Sequence, residues 1–557
     1  MKLLNFVFLS LLLVPLQSIS QSVNPEILWA TYFGSPGDDF TGNVVTDKDD
    51  NIYITSIVKS GAPTTSGVHK TNYGGGTSDA MLAKFDKDGK LLWSTYFGGT
   101  GEDTAWILAS ASDGSVAITG YTNSISGIAS TGSHDVSFGG SFDIYLAVFE
   151  PNGKLRWSTY FGGLGTEGES SLTIDSEDNI YLAGLTSSTT GIATDSAYQS
   201  TKKVGEDAFL AKFDNKGKLL WSTYYGGAGA DYFFNLETDS EDNVYAAGYT
   251  TSGQLASAGA FKTSYGGNGD GLLVKFNKSG ERVWATYFGS GGKDEIYTMG
   301  IDHDDNIYIL GPTTSTGGIA TTGAFSMTNS GKQDVLIAKF KTTGELIWST
   351  LFGGEEWDTV FGCDFDEENN IYISIMSQSI GFPLTDDVIG PYYIGGPWDA
   401  VFCKFSPGGI LKWSTFFGGD GNDRAIDISL DSQQNIVATI NSDSPGLATS
   451  GAYDTIRSGN ESLIIKMKDA TTVNIEELQA FGKIQCFPNP TSDIIEIANP
   501  LAIRRNMTIF DANGAMVLRL VNTNQSQFNV RNLPSGIYYI LLDENELISS
   551  GKFVKIE

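Results

Sequence analysis

The chain has 557 residues, of which 40% are hydrophobic, so it can bury one large core or several smaller ones and is not expected to be mainly disordered. It contains 67 Gly but only 15 Pro, with 32 Phe, 10 Trp and 24 Tyr, a composition typical of many short strands joined by tight turns. The formal net charge of −30 argues against a nucleic acid or an anionic membrane as the partner, because both attract clusters of Lys and Arg.

The first twenty residues have the pattern of a secretory signal. One Lys precedes an apolar stretch from Leu3 to Leu16, and small residues follow at Ser18 and Ser20. The stretch is shorter than the ~20 residues that a membrane-spanning helix needs, and no other long apolar run follows. We therefore expect a cleaved leader over residues 1–20 and no transmembrane segment in the mature chain, with a membrane anchor as the alternative.

From residue 26 onward the chain repeats one phrase, which is written LLWSTYFGG at residues 91–99. Its tryptophan recurs at intervals of 63 to 65 residues, as Trp29, Trp93, Trp157, Trp221, Trp284, Trp348 and Trp413. A constant period of this length predicts a repeat architecture. Trp, Thr and Phe of the phrase lie on one face of an extended strand, where we expect them to pack against the neighbouring repeat.

Each repeat offers four strands. In the second repeat, a turn at Asp113-Gly114 joins two strands, and a turn at Asn152-Gly153 joins two more. The first turn recurs in Asp-rich forms such as DKDDNIYI and DSEDNVYA. These forms look like calcium loops, but an Asp that accepts a backbone N–H two residues further on explains them without a metal, and we favour that interpretation.

The phase of the repeats predicts how the fold closes. The chain opens with a lone fourth strand at residues 26–34, and the seventh unit stops at its third strand, residues 462–469. The N-terminal strand can therefore complete the last unit. This predicts an all-β fold with a seven-bladed β-propeller of four-stranded blades over residues 21–469, expected to be a monomer. An open solenoid is the competing architecture, but it gives no reason for the offset.

At these residues the sequence resembles the seven-bladed β-propeller repeat (SBBP-type) family of exported bacterial proteins. The resemblance extends from about residue 24 to residue 469 and includes SDAMLAKFDKDGKLLWSTYFGG (78–99) and EDAFLAKFDNKGKLLWSTYYGG (206–227). It implies a secreted or surface-exposed propeller and no common chemistry.

After a linker over residues 470–481, residues 482–557 resemble the C-terminal sorting domain of the type IX secretion system of Bacteroidetes. The resemblance rests on the order of CFPNP, a hairpin around Asn513-Gly514, SGIYYILL and the terminal KFVK. It implies a small β-sandwich that engages the type IX secretion machinery, and hence a secreted or outer-membrane-surface protein. An ordinary C-terminal β-sandwich module is the alternative.

Two sets of acids recur with the repeat. The first set stands ten residues after each tryptophan and comprises Asp39, Asp103, Glu167, Asp231, Asp294, Asp358 and Asp423. The second set begins each third strand and comprises Asp79, Asp143, Asp207, Asp270, Asp334, Asp399 and Glu461. Both sets are expected on the propeller face that carries the long loops. We expect each carboxylate to accept backbone N–H groups of its loop, and the alternative for the first set is a site for calcium or another hard cation.

The sixth unit departs most from the repeat pattern. Its segments 354–370 and 381–400 place acids and aromatic residues where they could line a sugar-binding patch, namely Glu355, Glu356, Trp357, Tyr392, Tyr393 and Trp398. Local drift in one blade explains the departure equally well. The sequence shows no His-based triad, zinc site or phosphate loop that would indicate a catalytic centre, and we assign no catalytic residue.

Two functions of different classes follow from these patterns. The first is a secreted or cell-surface scaffold that binds an extracellular protein, glycan or matrix component, with calcium as the one cofactor considered. The second is a carbohydrate-active hydrolase or lyase with its site on the loop-rich face, where two acids could serve as acid and base. We favour the scaffold because the repetition is nearly perfect and the sequence shows no unique catalytic cluster.

Overall fold

The computed structural model describes residues 25–469 apart from 386–387 and 391. In the C-terminal region it describes residues 482–483, 485–487, 491–492, 494–498, 505–510, 516–523, 527–531, 533–544 and 547–556. The expected leader and linker lie outside the described residues. Residues Ile27–Lys468 form one compact unit, and the described residues from 469 onward belong to a second one.

Seven four-stranded antiparallel sheets, numbered here as blades 1 to 7, make up the first unit. The strands of blades 1 to 3 are β2 Phe40–Thr46, β3 Ile52–Val58, β4 Asp79–Phe85 and β5 Leu91–Phe97; β6 Ile107–Ser110, β7 Val116–Thr122, β8 Asp143–Phe149 and β9 Leu155–Phe161; β10 Glu167–Ile174, β11 Ile180–Thr186, β12 Asp207–Phe213 and β13 Leu219–Tyr225. The strands of blades 4 to 6 are β14 Asp231–Thr238, β15 Val244–Thr250, β16 Asp270–Phe276 and β17 Arg282–Phe288; β18 Thr298–Ile301, β19 Ile307–Thr313, β20 Asp334–Phe340 and β21 Leu346–Phe352; β22 Asp358–Phe365, β23 Ile371–Ser377, β24 Asp399–Phe405 and β25 Leu411–Phe417.

Blade 7 combines the two ends of the repeat region. Its strands are β26 Asp423–Leu430, β27 Asn435–Ser442, β28 Glu461–Lys468 and, from the start of the unit, β1 Glu26–Phe33. The predicted completion of the last blade by the N-terminal strand is therefore confirmed. The first strand of each blade contacts the first strands of both neighbours, so these strands form a closed inner ring around an axis. The predicted seven-bladed propeller is confirmed.

The recurring tryptophans join neighbouring blades. Trp93 of blade 1 is buried in a cluster with residues of blade 2, and its indole packs over the hairpin at Gly153. Gly153 has a φ of +78°, and a Cβ there would lie 2.9 Å from the indole ring, so only glycine fits this turn. The predicted packing of the phrase against the next blade is confirmed. Burial of such a side chain contributes roughly 2–3 kcal/mol.

The Asp-rich first turns are closed by side-chain hydrogen bonds and carry a buried cation. In blade 1, Asp47 accepts the backbone N–H groups of Asp49 at 3.0 Å and Asn51 at 2.9 Å, as the turn interpretation predicts. The Nζ atom of Lys84 lies 3.1 Å from Asp47 and 2.7 Å from the hydroxyl of Tyr53. The Lys and Tyr partners were not anticipated from the sequence.

The Lys–Asp pair recurs in six blades, with a tyrosine beside it in five of them. The further trios are Lys212–Asp175–Tyr181, Lys275–Asp239–Tyr245, Lys339–Asp302–Tyr308 and Lys404–Asp366–Tyr372. Blade 7 pairs Lys466 with Asp431. Blade 2 lacks both the Lys and the Tyr, because Val148 and Ala117 take their places, and Arg156 of the fourth strand pairs with Asp113 instead.

The described part of the second unit forms two small sheets. The strands are β29 Gly482–Lys483, β30 Gln485–Phe487, β31 Ile494–Ala498, β32 Arg505–Phe510, β33 Met516–Thr523, β34 Gln527–Asn529, β35 Gly536–Glu544 and β36 Leu547–Lys555. One sheet has the strand order β29-β36-β35-β32-β33 and the other β30-β31-β34. Side chains from both sheets, including Ile495, Phe528 and Ile540, share one apolar cluster. The described residues of both units contain strands and no helix.

Candidate functional site

Both sets of recurring acids lie on one face of the propeller, which we call the loop face. It carries the loops between second and third strands, residues 59–78, 123–142, 187–206, 251–269, 314–333, 378–398 and 443–460. The end of each second strand lies between the two acids of its blade: Thr186 pairs across the sheet with both Glu167 and Asp207. The opposite face carries the Asp-rich turns, and we call it the turn face.

Acids of the first set are buried and fully engaged in hydrogen bonds. Asp103 accepts the backbone N–H of Gly99 at 2.8 Å and the hydroxyl of Ser124 at 2.8 Å, and it also accepts the hydroxyl of Thr122. The carboxylate therefore ties the junction between blades 1 and 2 to the end of β7. The expected backbone N–H contact is present, and the two hydroxyl groups add to it.

This arrangement repeats around the ring. The backbone donors to the other acids of the first set are Ser35, Gly163, Gly227, Ser290, Gly354 and Gly419. The hydroxyl donors are Ser35, Thr186, Thr250, Ser252, Thr313, Ser315, Ser377, Ser379, Ser442 and Ser444. In blades 2 to 7, a Thr or Ser at the end of the second strand and a Ser two residues later are the sequence signal for these donors, and this signal was not predicted. Blade 1 differs, because its second strand ends at Val58 and Ser35 donates to Asp39 instead.

Acids of the second set are equally buried but less completely paired. One oxygen of Asp334 accepts the backbone N–H of Ser330 at 2.8 Å, and its Oδ1 atom is buried without a hydrogen-bond partner. The same unpartnered oxygen occurs in Asp79, Asp207, Asp270, Asp399 and Glu461. Each blade junction except that of Asp143 therefore holds a buried carboxyl oxygen that no group of the described residues satisfies.

The two sets meet in pairs at the junctions between blades. Gly98 separates Asp79 from Asp103, and a Cβ at this glycine would lie 3.0 Å from the carboxyl carbon of Asp79 and 2.7 Å from Asp103 Oδ2. Burial raises the pKa of Asp79 to about 7, and the negative charge of Asp103 adds to the rise. A carboxyl in this position holds a proton near neutral pH.

Burial raises other members of the pairs in the same direction. The pKa rises to about 6 for Asp39, Asp143, Asp334 and Asp399, and the partner carboxylate across the junction contributes in each case. Lysines relieve two junctions, because Lys262 lies 2.6 Å from Asp270 and Lys70 lies 3.9 Å from Asp79. Several of the paired acids can therefore be protonated near neutral pH, and the hydrogen bonds of the pairs link neighbouring blades.

Metal binding by the first set stays a prediction. Among the residues that the structure describes, no group of three or more His, Cys, Asp or Glu side chains has an arrangement that could hold a metal ion. Hydroxyl and N–H donors of the blade junctions already occupy the carboxylate oxygens that calcium would need.

The candidate residues of the sixth blade fall into two groups. Glu355, Glu356 and Trp357 lie in the junction between blades 5 and 6, where Glu356 pairs with Lys332 and the backbone of Trp357 bridges to Gln333. The side chain of Trp357 is 41% exposed, so it is available to a ligand.

The second group lies in the loop of blade 6 that leads to the junction with blade 7. Tyr393 donates its hydroxyl to the carbonyl of Gly396 at 2.8 Å and packs edge-on against Phe416, so its ring serves the loop. Tyr392 is 68% exposed and Trp398 is half-buried. Within the described residues, no hydrogen bond, ion pair or ring contact joins the two groups, so a shared sugar patch stays a prediction.

Five strongly exposed apolar side chains lie on the loop face. Ile125, Leu164, Val204, Ile380 and Ile456 are between 74% and 84% exposed, and all lie in loops of this face or in junctions opening onto it. Ile125 and Ile380 stand at the same position of blades 2 and 6, and the other three side chains each stand at a different position. The position of Ile125 and Ile380 is occupied in the other blades by Gly61, Thr189, Gly253, Thr316 and Pro445, so the repeat itself does not require an apolar side chain there.

Comparison with protein families agrees with both units. The family described as Beta-propeller repeat matches residues 28–56, 220–255 and 283–318, and the family described as Secretion system C-terminal sorting domain matches residues 485–557. The resemblances drawn from the sequence are confirmed, and the chain carries both kinds of module. Within the described residues, no helix has the length and apolarity needed to cross a lipid bilayer.

Individual relatives are distant. An uncharacterized WD repeat-containing protein of Acanthamoeba polyphaga mimivirus is 22% identical in an alignment 502 residues long, which covers 75% of this chain and 36% of the relative. The regulatory protein FlaEY of Caulobacter vibrioides is 25% identical in an alignment 349 residues long, which covers 57% of this chain and 34% of the relative. The chain thus spans about a third of the length of these relatives. A crystal structure of a protein of unknown function from Dyadobacter fermentans has 10% identity and a TM-score of 0.37, covering 80% of this chain and 99% of that one.

Proposed function

We propose that this chain, in which Beta-propeller repeats are followed by a secretion system C-terminal sorting domain, is exported by the type IX system and acts outside the cell as a binding scaffold. Residues 1–20 serve as the cleaved leader, residues 21–469 as the propeller and residues 482–557 as the sorting domain. The ligand is an extracellular protein, a glycan or a matrix component, and it binds on the loop face.

One observation carries the proposal: a repeating scaffold with hydrogen-bonded blade junctions presents, on its loop face, exposed apolar side chains that the repeat does not require. The carboxylates and hydroxyls at the junctions bond to one another and to the loop backbone, which holds the loops in place. Ile125, Leu164 and Ile380 project from this frame with 74%, 84% and 79% exposure. A rigid frame with exposed apolar side chains lowers the entropic cost of binding a partner.

The binding role is tested with a loop-face variant of the full chain, Ile125→Ser with Leu164→Ser and Ile380→Ser. Its adherence to an array of polysaccharides and matrix proteins, and to intact cells of the producing bacterium, is compared with that of the unmodified chain. The matched control is Leu92→Ser with Leu220→Ser and Ile347→Ser, which removes apolar side chains that are 41–43% exposed on the fourth strands.

We expect the loop-face variant to lose adherence and the control variant to keep it. Equal adherence of both variants would refute a binding site on the loop face. Release of soluble sugars from a bound polysaccharide would instead support the carbohydrate-active enzyme. The export route is tested separately, because a chain that ends at residue 481 is expected to accumulate in the periplasm while the full chain reaches the cell surface or the medium.

A further inference from the structure

Aromatic rings line one side of the inner ring near the loop face. In blade 4, the rings of Tyr232 and Phe234 have centroids 5.9 Å apart. Phe234 meets Tyr297 of blade 5 edge-on at 5.4 Å, and Tyr297 stacks on Phe361 of blade 6 at 5.7 Å. Three successive blades thus contribute one continuous aromatic wall, all of it at or near the start of the first strands.

The fold does not require this wall. Phe234, Tyr297 and Phe361 each stand three residues after an acid of the first set. The same position in the other four blades holds Gly42, Trp106, Ser170 and Ile426. Blades 1, 3 and 7 form the same four-stranded sheets with Gly, Ser or Ile at this position, and among the other four blades only blade 2 carries an aromatic residue, Trp106. The repeat therefore does not need an aromatic side chain here, and the rings of blades 4 to 6 serve something other than the repeat.

Glu169 of blade 3 lies beside this wall and is free. Its side chain is exposed to solvent, and it makes no hydrogen bond or ion pair with any residue that the structure describes. Its backbone is held at a φ of 50°, at the bulge in β10. Surrounding protein atoms raise the pKa of Glu169, and the charge of Glu295 adds to the rise. The Glu169 carboxylate is thus reached by solvent and also closely surrounded by protein atoms, as a side chain that lines a channel would be.

Two tyrosines of the wall are oriented by other carboxylates and sense the charge of Glu169. The hydroxyl of Tyr232 donates to Glu206 at 2.6 Å, and the hydroxyl of Tyr297 donates to Glu295 at 3.2 Å. Burial raises the pKa of both tyrosines, and the negative charges of their carboxylate partners and of Glu169 contribute. The strand that carries Glu169, β10, also contacts β14, which carries Tyr232 and Phe234, so Glu169 lies next to the blade 4 end of the wall.

At the edge of the wall, the ammonium group of Lys293 is held by both a carboxylate and an aromatic ring. The Nζ atom of Lys293 lies 2.9 Å from Glu295 and 5.1 Å above the ring of Tyr249, which in turn stacks on Tyr232 at 5.9 Å. A carboxylate and an aromatic face together hold one cation here. Glu169 is a second carboxylate beside the same aromatic wall, and no cation of the described residues pairs with it.

We propose that Glu169, Tyr232 and Tyr297 form a binding site for an organic cation, an alkylammonium or guanidinium group, at the loop-face end of the inner ring. The cation pairs with Glu169 and lies against the aromatic wall, where ring quadrupoles attract positive charge. A neutral sugar could stack on the rings but would leave Glu169 unpaired. The inference deepens the proposed binding function by naming a ligand class, and in that sense it rests on it.

The test uses the full chain and small probes of matched shape. Ligand-observed NMR titrations compare butylammonium and butylguanidinium with neutral butanol. We expect the two cations to bind and butanol to bind at least about tenfold more weakly. We also expect Glu169→Gln to weaken butylammonium binding about tenfold and Tyr297→Leu to weaken it severalfold, while Tyr297→Phe retains the ring and most of the binding.

The net charge of −30 attracts any cation, so a matched control is needed. Glu177→Gln removes the same charge from the same blade, but on the turn face, and is expected to leave butylammonium binding unchanged. Thermal melting of each variant shows that the propeller remains folded. The proposal is overturned if butanol binds as well as butylammonium, or if Glu169→Gln and Glu177→Gln have the same effect.

The source of the cation is distinguished by two further probes, the N-acetyl amides of Lys and Arg. Tighter binding of these than of butylammonium identifies the ligand as a side chain of a protein partner, and weaker binding identifies it as a free amine. The loop-face serine variant described above keeps the aromatic wall, so it retains butylammonium binding. Failure of the adherence test and failure of the cation test are therefore separate results.

Discussion

The indole N–H of Trp93 donates a 2.9 Å hydrogen bond to the carbonyl oxygen of Pro151 in the hairpin of the next blade. Five other tryptophans repeat this bond with a residue 57 to 59 positions further along the chain. Trp413 differs: it is 2% exposed, and its Nε1 atom has no partner among the described residues. The reason lies in the ring closure, because blade 7 takes its fourth strand from the other end of the propeller and has no such hairpin.

This difference allows the hydrogen bond to be measured against an internal control. We expect Trp93→Phe to lower the free energy of unfolding of the propeller by about 1 kcal/mol more than Trp413→Phe, because only the first change leaves a hairpin carbonyl without its donor. Both changes remove a similar part of a buried ring. The measurement is calorimetric unfolding of the full chain, and equal losses would show that the bond adds nothing to packing.

The buried lysines predict a second difference between blades. In blade 3, the side chains of Lys212 and Asp175 are 6% and 1% exposed and lie 2.8 Å apart. Lys212→Met leaves a buried carboxylate unpaired, so we expect a loss of about 3–5 kcal/mol. In blade 2, Arg156→Met breaks pairs with Asp113 and Glu150, whose side chains are 48% and 37% exposed, and we expect a loss below about 1 kcal/mol.

Thermal melting of the two variants at neutral pH makes this comparison, with the unmodified chain as reference. If Lys212→Met loses no more stability than Arg156→Met, the amide groups of the turn alone are sufficient to stabilise the buried Asp175 carboxylate.

The paired carboxyls predict that acid stabilises the propeller. Burial raises the pKa of Asp79 to about 7 and of Asp334 and Asp399 to about 6, whereas an unfolded chain titrates Asp near about 3.9. The folded state therefore binds more protons, so stability is gained as the pH falls through 7 and 6 and the gain is complete below about 4. We expect a higher melting temperature at pH 5.5 than at pH 8.

One variant isolates this effect. Asp334 faces Asp358 across the junction and accepts the N–H of Ser330, which an amide oxygen can also accept. Asp334→Asn should raise the melting temperature at pH 8 and have little effect at pH 4.5, because it replaces the proton with a permanent neutral group. Glu345→Gln, which changes an acid on the surface, is the control and is expected to have no pH-dependent effect. A lower melting temperature of Asp334→Asn at pH 8 would contradict the inferred repulsion between the Asp334 and Asp358 carboxylates.

A second group of acids opposes this stabilisation at lower pH. Hydrogen bonds from Asn51 and the charge of Lys84 hold the pKa of Asp47 below its ordinary value against the effect of burial, and the turns of blades 3, 4 and 7 share this feature. These groups stabilise the fold above the unfolded-state pKa and lose that contribution as the pH falls further. The melting temperature is therefore expected to pass through a maximum between about pH 4 and pH 6.

Calcium is expected to leave the propeller unchanged. Each carboxylate of the first set accepts donors of its own junction, as Asp103 does from Gly99, Thr122 and Ser124, and a metal would have to displace them. The melting temperature of the full chain should thus be equal in calcium chloride and in EDTA. A rise with calcium that Asp103→Asn reduces would establish the first set as metal ligands.

Repetition explains what the sequence could reveal. The spacing of Trp93 and its equivalents, the hairpin glycine at Gly153 and the offset between β1 and β28 fixed the blade number and the closure, because each depends on local chemistry repeated along the chain. Repetition does not reveal which polar side chains are buried. Nothing in the AKF motif around Lys212 distinguishes it from a surface lysine, because its partner Asp175 lies on another part of the blade. Glu169 and Tyr297 belong to different blades, and only the closed ring places them together.

The strand that closes the ring yields the last prediction. Ala30 and Tyr32 of β1 are fully buried in one cluster with Trp413, and the hydroxyl of Tyr32 donates to the carbonyl of Ser444 at 2.6 Å. Removing residues 26–33 takes these side chains from the core and leaves β28 as an open edge. We expect the propeller of this variant to melt at least about 10 °C lower and to self-associate as concentration rises. Reinserting the same eight residues behind a flexible linker after residue 469 should restore both properties, since the strand then reaches its place from the other side. A deletion variant that melts like the unmodified chain and stays monomeric would show that three strands suffice for blade 7.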